Sequence, residues 1–397
     1  MGKLLSAILN ALFPSGQSKR DRPQAASAVG HWLSRMPQLL NMLRYTLNAL
    51  QQSEVLDYDP FYLHITPAEV HPLAISQAIT SKVRAASDSD QTEIAETGEH
   101  PLRSETTQAV NLQSFTFLLE QLPGILAIDF TGQVHDPLMN PELLDMVEHA
   151  YRSSRVESTV YTDGFRLKEF ADVLVSSSLH SLVIRMVGHK PSAYSRLTGK
   201  PPQEFLALLE NVKALVQRRG EVRSQLAIEI SLCMDIHNFQ ELPEMITFAK
   251  YLGLDGLRLE NYLTPDSMKS DRSLYRHHNR VVHFLRQAEQ VHHQEQAQKD
   301  AIPFTLKMPS LLDADMSAHR YCRDAFNTVS VDAHLNVSAC SRHALACEPF
   351  GKIWDEDFFN NAMYQWLRNV YSAPSPSKQS FPVPSACQNC PKNANPH

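Results

Sequence analysis

One alternation constrains this chain more than any other feature. From residue 61 onward, short apolar, β-branched runs take turns with segments of helical periodicity. Phe61–Thr66, Ile125–Thr131, Ser158–Tyr161, Leu182–Val187, Leu226–Leu232 and Gly256–Tyr262 read as strands. After the fourth run, Phe205, Leu208, Leu209, Val212, Leu215 and Val216 recur at helical spacing. Glu241–Leu252 likewise gathers Met245, Ile246 and Ala249 on one face and stops at Gly253. Repeated strand–helix units imply right-handed crossovers and a parallel sheet, so an α/β fold is expected, either doubly wound or curved into a full or partial barrel. In both arrangements ligands sit at the C-terminal ends of the strands.

The remaining segments read as accessories. Leu4–Phe13 is a short apolar run followed by Pro14, Ser15 and Gly16. It lacks a signal-peptide cleavage site and reads as a docking helix able at most to touch a membrane surface. No stretch reaches the roughly 18 apolar residues of a membrane-spanning helix. Residues 86–111 are polar and read as a solvated loop. A polar helix over Asp271–Lys299 carries His277, His278, His283, His292 and His293, which read as solvent-facing. A net charge of −6 argues against a nucleic-acid partner, since displacing phosphate counterions needs a basic surface.

The six cysteines are unevenly placed. Cys233 stands alone, whereas Cys322, Cys340, Cys347, Cys387 and Cys390 fall in the last fifth of the chain. Without an export signal, such thiols point to a reducing, cytoplasmic compartment and to metal binding. Cys387-Gln-Asn-Cys390 lets two sulfurs face one metal. A strand and turn at Thr328–Val337 would return Cys340 to Cys322 as two further ligands, for zinc or for an iron–sulfur cluster. The alternative is a set of ordinary buried thiols. The Ser372–Ser385 stretch reads as the linker that brings the final pair back.

Phe130-Thr-Gly-Gln-Val-His-Asp-Pro-Leu-Met-Asn-Pro-Glu-Leu144, Tyr161-Thr-Asp-Gly164 and Val187-Gly-His-Lys-Pro-Ser-Ala-Tyr-Ser-Arg-Leu-Thr-Gly199 follow one another in the order found in radical SAM enzymes. Asn238-Phe-Gln-Glu-Leu242 and Ala249-Lys-Tyr-Leu-Gly-Leu-Asp255 continue the similarity. The tail, with Cys322, Cys340, Phe350-Gly-Lys-Ile-Trp354, Trp366-Leu-Arg368 and Cys387–Cys390, resembles a SPASM or twitch extension. The resemblance implies a partial (β/α)6 TIM-like barrel over 60–302, after an N-terminal helical extension at 1–59 and before a cysteine-rich domain at 303–397. It implies an auxiliary [4Fe–4S] cluster rather than zinc on Cys322, Cys340, Cys387 and Cys390. It also implies a S-adenosylmethionine-facing set of Asp136, Thr162, Asp163 and Gly164, of which Asp136 and Asp163 are expected to be exposed.

The family's first strand ends in a Cys-x3-Cys-x2-Cys loop that holds the SAM-cleaving cluster. Here Leu63-His-Ile-Thr66 is followed by Glu69, Leu73 and Ser76 at those places, and no cysteine precedes Cys233. Leucine offers no donor and serine is a poor ligand for iron–sulfur chemistry. The expected function is therefore a radical-SAM-like pseudoenzyme, a binding or electron-relay partner for a peptide, a protein or a catalytically intact relative. Two alternatives stand beside it. One is a metal enzyme using His64, Glu69, His71, His135 and Asp136; the other is a SAM enzyme whose cluster is completed by a partner subunit.

Overall fold

A computed structural model describes residues 35–51, 56–69, 108–132, 135–261, 274–296, 303–309, 322–340, 347–372 and Cys387. Its strands in chain order are β1 (Tyr62–Ile65), β2 (Ala68–Glu69), β3 (Gln108–Ala109), β4 (Ala127–Phe130), β5 (Glu157–Thr162) and β6 (Ser181–Met186). They continue as β7 (Ala227–Met234), β8 (Gly256–Asn261), β9 (Thr305–Lys307), β10 (Thr328–Val331), β11 (Asn336–Ser338) and β12 (Gly351–Lys352). All except β2 and β3 join one sheet in the order β12-β11-β10-β1-β4-β5-β6-β7-β8-β9. From β10 across to β9 every pairing is parallel, and only the β10–β11 and β11–β12 pairings are antiparallel. The curved sheet does not close, which agrees with the expected partial barrel, and all six expected strands are present.

The helices are α1 (Met36–Gln51), α2 (Leu112–Gln121), α3 (Leu143–Ser154), α4 (Leu167–Ser176), α5 (Pro191–Thr198), α6 (Pro202–Val222), α7 (Leu242–Tyr251), α8 (His278–Gln296), α9 (Asp324–Asn327) and α10 (Ala362–Ser372). Central strands are buried on both faces: Leu182, Val183 and Ile184 are consecutive and wholly buried, as a helix-covered parallel sheet requires. α6 presents Phe205, Leu208, Val212 and Leu215 to that core. α7 ends at Gly253, whose φ of 74° is open to glycine without strain. No described helix is long and apolar enough to cross a membrane.

Both flanks of the expected barrel share its sheet. β9 pairs with β8, and β10 pairs with β1 from Tyr62–Thr328 to Ile65–Val331. At the N-terminal ends of the strands, α1 lies across the floor. Asn41 donates to the Asp59 and Gly124 carbonyls at 2.9 and 3.3 Å, and the Asp59 carboxylate accepts from the Gly124 amide at 2.9 Å. A Cβ on Gly124 would collide with Asn41, so this close approach needs glycine.

The expected loop over 86–111 differs at its described end. Gln108–Ala109 pairs with Ala68–Glu69, and the Asn111 side chain caps α2 by accepting from the Ser114 amide. An asparagine beside a helical pattern is a start signal that the polar composition of the stretch concealed. Leu4–Phe13 and residues 373–385 lie outside the described residues. The α8 histidines occupy half-buried or exposed positions.

Candidate functional site

The sequence set at the C-terminal ends of β4 and β5 comes together in space. One Asp136 oxygen accepts from the Leu138 amide at 2.8 Å; the other accepts from the Thr162 hydroxyl at 2.5 Å and the Asp163 amide at 2.8 Å. Thr162 Oγ1 also accepts from the Gly164 amide at 3.0 Å. Gly164 has φ of 82°, and a Cβ there would strike Leu208. Asp136 is 8% exposed, so the expectation that it stands open at the mouth is corrected. Its carboxylate is consumed by three donors because it locks the Pro137–Met139 turn onto β5. Asp163 is exposed, as expected. Partial burial of its carboxyl, then the adjoining Asp136 carboxylate, pushes it up to about 6.

The concave face of the sheet carries a polar belt that the sequence reading missed, apart from His64. Side chains alternate across a strand, so His64 on β1 shares a face with Asp129 on β4, Tyr161 on β5, Arg185 on β6, Glu229 on β7 and Arg258 on β8. His64 Nε2 lies 3.8 Å from Asp129. Arg258 donates to the Tyr161 hydroxyl at 2.8 Å and pairs with buried Glu229, which Lys307 also approaches at 3.7 Å. Burial and the nearby Asp129 carboxylate hold the Tyr161 phenol above its ordinary value, against the pull of Arg258. Arg185 binds the Gly132 and Tyr161 carbonyls, tying together the ends of β4 and β5. Burial lowers its pKa, while Asp136, Glu260 and Asp163 act in the opposite sense. The available signal was a charge at alternate positions of an otherwise apolar run, as in Ala227-Ile-Glu-Ile230 and Gly256-Leu-Arg-Leu259.

Beyond β1 the chain enters a clasp. β2 pairs with β3 antiparallel, and Asn140 donates to the Pro67 and Val110 carbonyls at 2.9 and 2.8 Å. The register position of Glu69 is therefore a strand residue; Leu73, Ser76 and His71 lie outside the described residues. In the alternative His/carboxylate set, Asp136 is already consumed by its turn. Among the described residues, no group of three or more His, Cys, Asp or Glu is arranged to hold a metal.

In the tail, β10 and β11 form the expected hairpin, Ser330 opposite Ser338. Cys322 is buried and Cys340, Cys347 and Cys387 are half-buried, with Cys390 outside the described residues. Tyr364 is wholly buried and donates to the Ser338 carbonyl at 2.9 Å. Burial lifts its phenol above the ordinary value, with Cys340 and Asp324 near enough to add to the effect. Arg368, also buried, donates to the Ala325 and Phe359 carbonyls and to Asn360, joining α9 to α10.

No family model matches the chain. Over 130 residues it is 27% identical to a probable GTP 3′,8-cyclase of Thermococcus kodakarensis, a match spanning 33% of this chain and only 39% of that relative. Streptococcus suis SuiB bound to S-adenosylmethionine superposes with a TM-score of 0.55 at 14% identity, covering 84% of this chain and 72% of SuiB. anSMEcpe with bound AdoMet gives 0.52 at 13% identity, covering 83% and 91%. Both are radical SAM enzymes of the SPASM type. The chain has the radical SAM fold. Within that fold, the region after β1 carries the β2–β3 clasp, and the polar belt lines the concave side of the half-barrel.

Proposed function

We propose that this radical-SAM-fold protein does not cleave S-adenosylmethionine, and instead holds a peptide or protein segment in its concavity as part of a modification or maturation system. The observation that carries this reading is the end of β1. The chain there passes into a two-stranded clasp, and the first 232 residues contain no thiolate. A three-thiolate cluster does not fit Glu69, Leu73 and Ser76, because none is a soft donor. The structure of SuiB bound to its precursor peptide SuiA, with a TM-score of 0.52 at 12% identity, supports a peptide as the kind of ligand. In this reading Asp136, Thr162, Asp163 and Gly164 shape the rim of the concavity, and Asp136 acts through the turn it holds.

The tail supplies the second part of the proposal. Cys322, Cys340, Cys387 and Cys390 have the soft donors that an auxiliary [4Fe–4S] cluster needs, and the β10–β11 hairpin lies in the chain between the first two of them. Such a cluster would supply one-electron transfer to a bound partner or fasten the tail. Zinc needs the same four ligands and is separated from iron by metal analysis. The thiols suit a reducing compartment such as the cytoplasm.

Anaerobic reconstitution with iron and sulfide, followed by dithionite and S-adenosylmethionine, tests the reading. No 5′-deoxyadenosine is expected. Its formation by the purified chain would overturn the proposal, and formation only with an added partner would favour a cluster completed by another subunit.

A further inference from the structure

We infer that the open edge of β9 receives the backbone of an extended peptide, which joins the sheet as a further strand beside Leu306. The inference rests on the peptide-holding reading and names how that ligand is gripped. The sheet ends at β12 on one side and at β9 on the other, and the two edges differ. At β12 the Lys352 amide already donates to the Asp355 carboxylate at 2.7 Å, and a Cβ on Gly351 would strike the same carboxylate, so the chain itself covers that edge. At β9 the Thr305 amide donates to the Asp255 carbonyl, just before β8, at 2.8 Å. Alternate residues of a parallel strand turn both backbone groups to the same neighbour, so Leu306 turns its amide and carbonyl away from β8. Among the described residues neither group has a partner. A donor and an acceptor side by side on an extended strand are matched by the backbone of another strand.

Side-chain alternation joins this edge to the concavity. Phe304 turns to the helix-covered face, where Lys250 of α7 lies over its ring and the His292 ring of α8 stands 6.1 Å away. Lys307 turns to the other face, 3.7 Å from Glu229 in the concave belt, and Thr305 shares that face. Both Thr305 and Lys307 are exposed, so the concave side of β9 meets solvent on either side of Leu306. A strand added there directs every second side chain into the half-barrel, while its backbone is held without regard to sequence. Length decides between a peptide and a second copy of this chain. Pro303 and Pro309 carry no amide hydrogen and limit pairing to the residues between them. β9 itself is three residues, roughly 10 Å long. Two copies paired through so short an edge fall well short of the roughly 1,200 Å² that a stable interface buries. A peptide needs only that length to be set in register.

The test follows hydrogen exchange of the full chain with and without millimolar acetyl-Thr-Val-Thr-Val-Thr-amide, alongside calorimetric titration. A second peptide of the same sequence, N-methylated at every residue, has no backbone hydrogen to donate. The plain peptide is expected to slow exchange of the Leu306 amide about tenfold, and the methylated one to leave it unchanged. Leu306→Pro removes the outward amide and keeps the bonds to β8, so it should abolish peptide binding. Leu306→Val keeps the amide and should bind as the native chain does, with unliganded melting midpoints reporting that both variants fold. Unslowed exchange at Leu306, equal action of the two peptides, or undiminished binding to Leu306→Pro would overturn the assignment. So would slowing that grows with protein concentration and needs no peptide, which would place a second copy on the edge. Binding with protection only at the strand C-terminal ends would sink this inference and leave the peptide-holding reading standing. Protection confined to β9, with the concave belt untouched, would sink that reading alone, and no binding of the plain peptide would sink both.

Discussion

At the residue scale, Asp136 and Asp163 show how two neighbouring carboxylates come to differ. Asp136 accepts three hydrogen bonds, from Leu138, Thr162 and Asp163, and is buried. Asp136→Asn would turn an amide donor toward donors and leave buried groups unmatched, at a cost of about 1–3 kcal/mol, read from denaturant unfolding at neutral pH. Asp163 carries the opposite strain. Its folded pKa of about 6 lies above the ordinary 3.8, so the folded state binds its proton more tightly than the unfolded chain does. That contribution to stability is present below about pH 4 and is lost as pH rises through about 6. Asp163→Asn should flatten this part of the pH–stability curve, whereas an unchanged slope would place the titration elsewhere. The sequence named both residues through their motif. It could not separate them, because what distinguishes them is which backbone amides each oxygen meets.

At the scale of elements, periodicity made the six barrel strands and the helices α6 and α7 legible, since each repeats its pattern over enough residues to fix a face. The β10–β11 hairpin was also readable, from a strand and turn between two cysteines. Less accessible was the pairing of β10 with β1, which joins residues far apart in sequence and leaves no local pattern. The concave belt stayed hidden for a related reason: Glu229 and Arg258 look like interruptions in apolar runs until the register brings them together. The hairpin also frames an experiment on the tail. Cys387→Ser with Cys390→Ser should remove all bound iron or zinc and make the chain after β11 readily cleaved by protease, since metal binding and ordering are coupled. β10 should remain protected by its bonds to β1. Full metal occupancy in the double variant would refute the ligand set.

At the scale of the whole molecule, one sheet runs from the tail hairpin through the half-barrel to β9, with α1 across its floor. Its floor end is sealed by the Asn41–Asp59–Gly124 contacts, while its concave face is lined by charge. The arrangement separates a packed end from a charged face, and in the proposed reading that face does the recognising, as in other sheets whose ligands bind beyond the strand C-termini.

The β2–β3 clasp has a topological consequence. Ala68 stands opposite Ala109 and Glu69 opposite Gln108, so the pairing closes a ring between residues 69 and 108. For a flexible ring, length enters stability only through the logarithm of ring size. Replacing the 38 residues by a four-residue turn should lower the entropy of closing the ring by about 2 kcal/mol and raise stability by up to that amount, while the β2–β3 pairing is kept. Calorimetry of the shortened chain would measure it, and a loss of stability would show that the excursion contributes contacts of its own. A gain of that size would make the clasp a splice point, where a fold can exchange whole passages of sequence without renegotiating its core.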